Sequence, residues 1–400
     1  MRIKVLSLVV IFLLVGTSVA WSSLNFNFIG AGARARGMGG AFIGVADDAT
    51  AIGWNPAGLA TLQTPEASAA GLINMNKQEV TLTWDDPVYQ DYNYEESASS
   101  SHFVFEFASI AYPLAVGEKN FVIAAAYQRL VDLYDLNQNV NRELDIDEYE
   151  EFTGGIDAIS PGAAMQLTPD VAVGAAFNIW TGSLDYKYED RIANYDTTIS
   201  DIDKFSGFNV NIGALASYNQ FKFGAVVKTP LTIKDEYEVD GETYKDEWKF
   251  PLTFGFGASV MPNENLTLAV DYEIRNYSNM KIYDDYNDEE VEGDSIGIVD
   301  GHQIRVGAEY IFVGESTIFP ARVGFRTDPQ FFEGFDEDKV TGYVFTAGFG
   351  VIFGNIWIDA AYEFGTVKDD FDFEDPTDGF MLESKETNHN IIVSAVAHFE

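Results

Sequence analysis

Strict alternation of apolar and polar residues recurs along this 400-residue chain and constrains its fold more than any other feature. In the segment 266–275 every even position is apolar, whereas the odd positions hold small, polar or charged residues. The segments 304–310 and 356–364 largely repeat the pattern. A period of two places the two sets on opposite faces of a β-strand. An apolar face opposite a polar or small face is typical of membrane β-barrel strands, which turn their apolar side outward.

Fourteen segments are predicted to be strands, and an even number is expected for a bacterial barrel. The predicted strands are 66–75, 102–114, 120–131, 154–168, 170–184, 206–218, 220–232, 247–261, 264–277, 301–313, 317–327, 340–353, 355–366 and 388–399. The sequence therefore predicts an all-β fold, a 14-stranded antiparallel transmembrane β-barrel over residues 65–400.

The predicted connections alternate in length. Short turns are expected at 117–119, 168–170, 218–220, 262–263, 314–315 and 354–355. Seven long acidic loops are expected near 76–101, 132–153, 185–205, 233–246, 278–300, 328–339 and 367–387. Short periplasmic turns and long extracellular loops are the topology of outer-membrane barrels. A soluble β-sandwich is the alternative, but it has no reason to collect its acidic residues at one end.

The charge balance excludes several classes of function. The chain has 63 Asp and Glu against 24 Lys and Arg, a formal net charge of -39, and no cysteine. Nucleic-acid binding needs clustered basic residues, so we expect no nucleic-acid partner. We also expect no bound metal, no cofactor and no enzyme, because thiolate chemistry is absent and neither His302 nor His389 accompanies a nucleophile motif. The acidic loops predict a solvated rim that divalent cations bridge loosely to anionic lipid, or an adaptation to a salt-rich habitat.

Residues 1–20 have the pattern of a cleaved secretory signal peptide. Arg2 and Lys4 precede the apolar run 5–15. The small residues Ser18 and Ala20 then mark a cleavage site. An uncleaved anchor is the alternative, but the run is short for a spanning helix. We predict export across the inner membrane, assembly by the barrel-assembly machinery, and a location among the lipids of the outer membrane.

Residues 21–64 form a segment rich in glycine and alanine ahead of the first predicted strand. Gly37, Gly39 and Gly40 permit tight turns and close backbone approach. Such a compact segment predicts a plug folded in the barrel lumen, and a flexible leader is the alternative. Arg34 and Arg36 are expected to pair with inward-facing carboxylates such as Asp271, Glu273, Asp359 and Glu363.

The second half of this segment predicts a short helix followed by a turn. Asp47 and Asp48 are placed to cap a helix over residues 49–54. Asn55-Pro56 then ends it, because the residue before proline avoids the helical region.

These motifs carry a resemblance to a known family. The residues are Arg36-Gly37-Met38-Gly39-Gly40-Ala41, Ala46-Asp47-Asp48-Ala49 and Trp54-Asn55-Pro56-Ala57. They resemble the N-terminal plug, or hatch, of FadL-type outer-membrane transporters of long-chain fatty acids and other hydrophobic compounds. The resemblance implies fourteen strands and passive uptake of a hydrophobic small molecule such as a fatty acid. PorV-type barrels begin similarly, so a role in protein secretion and surface attachment is the alternative, and a structural outer-membrane protein is the third reading.

Two sets of barrel residues are candidates for the transport path. A carboxylate ligand needs cations in the lumen, and the candidates are Lys222, Arg305, Arg322 and Arg326, which alternation turns inward. Alternation turns Lys228 inward as well. Pairing among lumen charges is the alternative. The FadL-type resemblance also implies an exit through a kinked strand. The candidate for that lateral opening is Ser160-Pro161-Gly162, since proline cannot donate to a ladder, and an ordinary bulge is the alternative.

Overall fold

The computed structural model of the chain describes residues 26, 28–85, 92–117, 119–141, 146–192, 195–373 and 379–399. The predicted signal peptide, residues 1–20, and the first residues of the predicted plug lie outside this set. None of the helices in the described ranges combines the length and the apolar composition needed to cross a membrane.

One antiparallel sheet contains every described strand segment, and it closes on itself. The segments are β1 (Glu66–Asp85), β2 (Tyr92–Val116), β3 (Lys119–Asp132), β4 (Asp135–Asn141), β5 (Ile146–Thr168), β6 (Val171–Ile192), β7 (Tyr195–Tyr218), β8 (Phe221–Lys228), β9 (Leu231–Val239), β10 (Glu242–Phe250), β11 (Thr253–Asn263), β12 (Leu266–Arg275), β13 (Lys281–Asp284), β14 (Glu289–Glu292), β15 (Gln303–Val313), β16 (Ile318–Glu333), β17 (Lys339–Phe353), β18 (Ile356–Phe373) and β19 (Gly379–His398). Closure joins β1 to β19, with Glu66 opposite His398 and Asp85 opposite Gly379.

Five pairs of these segments are interrupted pieces of single barrel strands. The segments β3 and β4 both pair with β5, and β8 and β9 both pair with β7. The other composite strands are β10 with β11, β12 with β13, and β14 with β15. The described segments therefore form a closed barrel of fourteen antiparallel strands, which confirms the predicted architecture.

The long loops differ from the prediction, because the strands continue through much of them. The predicted loops 185–205 and 76–101 are largely continuations of β6, β7, β1 and β2 as paired hairpins. Strand β7 has 24 residues, which spans about 80 Å at a rise of roughly 3.3 Å per residue. Above a bilayer both faces of a hairpin meet water, so the alternation that marks a strand disappears although the backbone pairing continues.

The predicted loop 278–300 contains the β13–β14 hairpin, and β13 continues the wall beside β10 at the end of the barrel that carries the long hairpins, here called the long-loop end. Two 3-10 turns, Tyr277–Asn279 and Gly293–Ile296, flank the β13–β14 hairpin. Met280 precedes this hairpin and Ile298 follows it, and both are fully buried against Tyr277 and its aromatic neighbours. The opposite end, where strands connect through short turns, is called the short-turn end.

A band of exposed apolar side chains surrounds the barrel. Each barrel strand contributes at least one, for example Ile73, Ile110, Ile123, Ile159, Phe177, Ile212, Phe223, Phe256, Val270, Ile304, Val323, Phe345, Ile358 and Val393. A continuous apolar band of this kind fits the hydrocarbon core of a bilayer.

The N-terminal segment, here residues 28–64, contains three short helical turns. They are α1 (Ala33–Gly37), α2 (Ala51–Trp54) and a 3-10 helix (Pro56–Thr61). The helix end at Asn55-Pro56 is confirmed, and the Asn55 side chain accepts a hydrogen bond from the amide of Ala57. The predicted Asp caps are wrong, because Thr50 is the N-cap residue and the Asp48 carboxylate binds the amide of Thr50 instead.

The apolar band predicts a depth-dependent cost for charge on the outer surface. Val270 lies in the middle of β12 and is 47% exposed, whereas Val313 ends β15 beside a short turn and is 68% exposed. We expect Val270→Arg to destabilise the protein folded in lipid vesicles by about 2–4 kcal/mol, and Val313→Arg to destabilise it by about 0–1 kcal/mol. Denaturant titration in vesicles measures both, and equal costs would contradict a membrane centred on Val270.

Candidate functional site

Inward-facing glycines let the backbone of the N-terminal segment touch the barrel wall. A Cβ added at Gly324 would lie 2.1 Å from the Gly39 amide nitrogen, and one at Gly224 would lie 2.1 Å from the Ile43 carbonyl oxygen. Glycines of seven strand segments make such contacts, namely Gly174, Gly213, Gly224, Gly257, Gly307, Gly324 and Gly348. No other residue type would allow this approach, because any side chain would overlap the segment.

Hydrogen bonds join the same segment to wall side chains. Thr346 accepts from the Gly39 amide at 3.0 Å and donates to the Gly37 carbonyl at 2.9 Å. Gly39 and Gly40 have positive φ angles, which agrees with the predicted tight turns. This part of the segment is therefore anchored through its backbone.

A second anchor lies at the middle of the segment. The Asp271 carboxylate accepts from the amides of Phe42 and Ile43 at 2.7 and 2.8 Å. Asn55 donates to the carbonyl oxygens of Ile43 and Ala214 at 2.9 and 3.1 Å. Asn55 therefore ties two parts of the segment to each other and to β7.

Buried ion pairs add to these contacts. Arg36 binds Glu363 at 2.6 Å and Glu106 at 2.8 Å, and all three side chains are nearly inaccessible to solvent. Burial lowers the pKa of the Arg36 guanidinium, but Glu363 and Glu106 outweigh burial and raise the pKa above its ordinary value. The predicted pairing of Arg36 with Glu363 is confirmed.

Arg34 also pairs with an inward-facing carboxylate of the wall, as predicted, although not with one of the four named examples. It contacts Glu309 at 3.1 Å, and also Asp47 and Asp48 of its own segment. Burial raises the pKa of the Asp48 carboxyl, and the charge of Arg34 opposes that rise without cancelling it. Sequence spacing could not identify Glu309, because alternation turns it inward together with every other odd residue of its strand.

The three arginines predicted to bind a ligand are buried in ion pairs. Arg305 binds Glu273 at 2.8 Å, and Arg326 binds Glu363 at 2.7 Å. Arg322 binds Glu309 at 2.6 Å and Asp359 at 2.5 Å. The alternative, pairing among lumen charges, therefore describes these arginines in the structure. Lys222 lies beside the short turn that joins β7 and β8.

A cavity of about 50 Å³ adjoins the N-terminal segment on its long-loop side. Its apolar lining consists of Phe28, Ile29, Leu130, Trp180, Leu231, Phe250, Pro251 and Tyr277. Its polar lining consists of Gln128, Asn178, Asn209, Asn211, Lys228, Thr229 and Thr253, and Gly30 and Gly53 complete it. The cavity thus combines aromatic walls with a neutral polar strip and one cationic side chain.

Lys228 is the cation of this cavity, and alternation had turned it inward as well. It donates to Glu273 at 3.1 Å, and Arg275 and Arg305 bind the same carboxylate at 2.7 and 2.8 Å. Three cations therefore surround one carboxylate. Lys228 also stands directly opposite Asn211 on β7 and Thr253 on β11, both of which line the cavity.

An aromatic cluster extends from the cavity toward the long-loop end. Phe26 packs against Trp248, Phe250 and Phe331 with ring centroids 5.1 to 5.3 Å apart. Phe28 packs against Trp180 at 5.2 Å. Sequence reasoning missed this cluster, because its members are scattered over the chain and share no periodicity.

The barrel ladder is interrupted between β2 and the strand formed by β3 and β4. Pairing runs from Val116 opposite Lys119 to Phe107 opposite Gln128, where it ends. Beyond that point, in the described ranges, 92–106 of β2 pairs with β1, and β4 pairs with β5. Gln128 and Leu130 line the cavity, so the cavity reaches the wall where the ladder ends.

Side chains bridge this interruption. The His102 Nε2 atom of β2 contacts an Asp132 carboxylate oxygen of β3. The Tyr134 ring stacks on His102 with centroids 4.1 Å apart. The two strands are thus held together above Gln128 by side-chain contacts.

No opening is formed at the predicted position, Ser160-Pro161-Gly162. These residues pair continuously with β3, where Pro161 stands opposite Ala125. On the β6 side two pairs are missing and the register resumes unchanged at Gly162 opposite Ala176. The missing proline donor therefore weakens the ladder on one side without opening the wall, and the Ser160 hydroxyl bridges to Asn178 at 2.7 Å.

No family model and no curated protein matches the chain, but solved structures do. A FadL homologue from Pseudomonas aeruginosa matches 93% of this chain and 100% of its own, with 12% identity and a TM-score of 0.59. The toluene transporter TbuX from Ralstonia pickettii matches 94% and 100%, with 15% identity and a TM-score of 0.57. The Pseudomonas putida toluene transporter TodX matches 94% and 100%, with 14% identity and a TM-score of 0.56.

The chain has the fold of the FadL-type barrels. At these identities the likeness concerns architecture, and it confirms the resemblance found in the sequence at that level.

The glycine contacts generate a test with a matched control. A Cβ at Gly324 would meet the Gly39 amide at 2.1 Å, whereas at Gly365, also inward-facing, the nearest atoms are 3.5 Å away. We expect Gly324→Ala to displace the N-terminal segment and to make it sensitive to protease in the folded, detergent-solubilised protein. Gly365→Ala is expected to retain the protection of the parent protein, and equal protection in both variants would contradict the docked arrangement.

Proposed function

We propose that the chain is an outer-membrane channel for passive uptake of hydrophobic small molecules such as fatty acids. The observation that carries the proposal is the aromatic cavity, which adjoins the N-terminal segment below and the interrupted ladder at its side. The solved structures with this fold include two named toluene transporters, which supports a hydrophobic cargo. The proposal includes export by the signal peptide and assembly in the outer membrane by the barrel-assembly machinery.

In this proposal residues 21–64 are a plug that closes the lumen, and the N-terminal segment is the described part of it. Two kinds of observation support it. The backbone of the segment contacts glycines of seven strand segments, and its Arg36 is locked by buried carboxylates. Breaking a buried ion pair typically costs about 3–5 kcal/mol, so the plug is expected to stay in place during transport.

The cargo would rest with its apolar body against Trp180 and Phe250 and its head group near Lys228. A carboxylate would meet the Lys228 ammonium there, which shares Glu273 with Arg275 and Arg305. We therefore propose Lys228, in place of the paired arginines and Lys222, as the cation that binds a fatty-acid head group.

With the plug fixed, the exit would be sideways between β2 and β3. The ladder ends at Gln128, and Gln128 also lines the cavity. A hydrophobic molecule leaving there would enter the bilayer through the apolar band of the barrel, for which no aqueous path is needed.

Fatty-acid binding can be tested with two lysines of the same strand. Lys228 lines the cavity, and Lys222 lies near the short turn. Loss of a hydrogen bond to a charged group costs roughly 1.5–3 kcal/mol, so Lys228→Met should weaken binding of a fluorescent long-chain fatty acid about tenfold or more. Lys222→Met removes the same charge and should leave binding unchanged.

Titration of the purified protein in mild detergent gives both affinities. The uptake proposal would be contradicted if the parent protein showed no saturable fatty-acid binding and co-purified with a stoichiometric protein partner. That result would favour the secretion-associated alternative.

Sideways exit can be tested by closing the interruption covalently, since the chain has no native cysteine. We expect a short bifunctional thiol reagent to link His102→Cys to Asp132→Cys and to reduce uptake of a hydrophobic probe to background. The control is the pair Ser183→Cys and Lys204→Cys, which stand opposite each other in an intact ladder and should have no effect when linked. Unchanged uptake in cells whose protein is fully linked at 102 and 132 would contradict sideways exit.

A further inference from the structure

A chain of hydrogen bonds crosses four neighbouring strands along the cavity wall. Gln128 donates to Ser160 at 3.2 Å, Ser160 to Asn178 at 2.7 Å, and Asn178 to Asn209 at 2.9 Å. Asn209 then donates to Asn211 at 3.2 Å. Every member is buried, and all except Ser160 line the cavity. All four bonds run in the same direction, from Gln128 toward Asn211.

One indole group fixes that direction. The Trp180 Nε1–H donates to the Oδ1 atom of Asn209 at 2.8 Å. An indole nitrogen can only donate, so the oxygen of Asn209 must face Trp180. Asn178, which contacts the same oxygen, must then donate, and its own oxygen must accept from Ser160. The orientation of each amide follows from the one before it.

The two ends of this chain of hydrogen bonds are consequently different. At one end the Gln128 Oε1 atom is buried and has no hydrogen-bond partner in the described part of the protein. At the other end the Asn211 oxygen is occupied by Asn209, so its Nδ2 group is left as a donor on the cavity side. Asn211 stands directly opposite Lys228, and Lys228 stands opposite Thr253. Residues opposite each other on adjacent strands have Cβ atoms about 4.5–5.5 Å apart, so their polar groups can reach one ligand atom.

We propose that Trp180 acts through this amide chain as a specificity-determining residue. It holds Asn211 with the Nδ2 donor beside the Lys228 ammonium. These two groups then select a hydrogen-bond-accepting head group such as a carboxylate. A molecule with an ammonium head of the same chain length meets donors and positive charge and is rejected. A pure hydrocarbon gains nothing from the polar strip. This inference rests on the proposed function, because it assumes that the cavity holds the cargo.

Loss of the indole N–H removes the constraint. Asn209 can then rotate by 180° about its terminal bond, and the remaining amides can reverse their donors and acceptors with it, because each has both groups. In the reversed chain Asn211 presents its oxygen to the cavity. The shape of the cavity is unchanged by that reversal, and its preference between head groups is lost.

The test compares three ligands that have alkyl chains of the same length and different head groups. Dodecanoate, dodecanol and dodecylamine compete with a fluorescent fatty acid for the purified protein. We expect the parent protein to prefer dodecanoate over dodecylamine, and Trp180→Phe to reduce that ratio about tenfold. The smaller ring of Trp180→Phe also contacts the alkyl chain less, but that loss is shared by dodecanoate, dodecanol and dodecylamine and cancels in the ratio. Phe250→Leu is the control, because Phe250 lines the same cavity outside the hydrogen-bond chain, and it should weaken all three ligands and preserve the ratio.

A second variant keeps the test decisive if Trp180→Phe folds poorly. Asn211→Asp replaces the proposed donor by an acceptor and should reverse the preference toward dodecylamine. An unchanged ratio in both Trp180→Phe and Asn211→Asp would overturn the inference while leaving the channel intact. Absence of any saturable binding in the parent protein would instead overturn the proposed function.

Discussion

A closed barrel of fourteen strands is too wide for its own side chains to fill, and the rest of this structure depends on what occupies the interior. Here the backbone of the N-terminal segment approaches the wall wherever a strand turns a glycine inward, as at Gly224 and Gly324. Close approach leaves little room for water, so the polar backbone groups of the segment need wall partners. Asp271 and Thr346 supply them.

The interior charges follow from the same constraint. Arginine and carboxylate side chains buried between segment and wall must pair, and Arg36, Arg322 and Arg326 each do so. In the proposed function these arginines stabilise the plug, and ligand binding is assigned to a side chain at the edge of the network. Lys228 has that position, because it shares Glu273 with two arginines and still lines the cavity. The proposed selectivity of the neutral amide strip adds no further buried charge.

Much of the architecture could be predicted from the sequence, because lipid on one side and a polar interior on the other impose a period of two. That period identified the strand at 266–275 and turned Arg305 and Lys228 inward. The period could not show which arginine each inward-facing carboxylate binds. Glu309 and Glu363 have the same place in the pattern, and only the three-dimensional packing pairs them with Arg34 and Arg36. The period failed for the hairpins above the membrane, where both faces meet water. The end of the β2–β3 ladder at Gln128 could not be predicted, because it depends on how two separate segments pair. Pro161 was predicted as an opening from its residue type, but the wall is closed there.

The measurement that tests this account most directly is uptake with the N-terminal segment tethered to the wall. The Ala33 amide donates to the Ser394 hydroxyl at 3.3 Å, so a disulfide between Ala33→Cys and Ser394→Cys can join the two in a chain without other cysteines. A fixed plug with sideways exit predicts that the oxidised protein takes up a hydrophobic probe as fast as the reduced one. Uptake that stops on oxidation and returns on reduction would contradict it and would show that the segment must move aside.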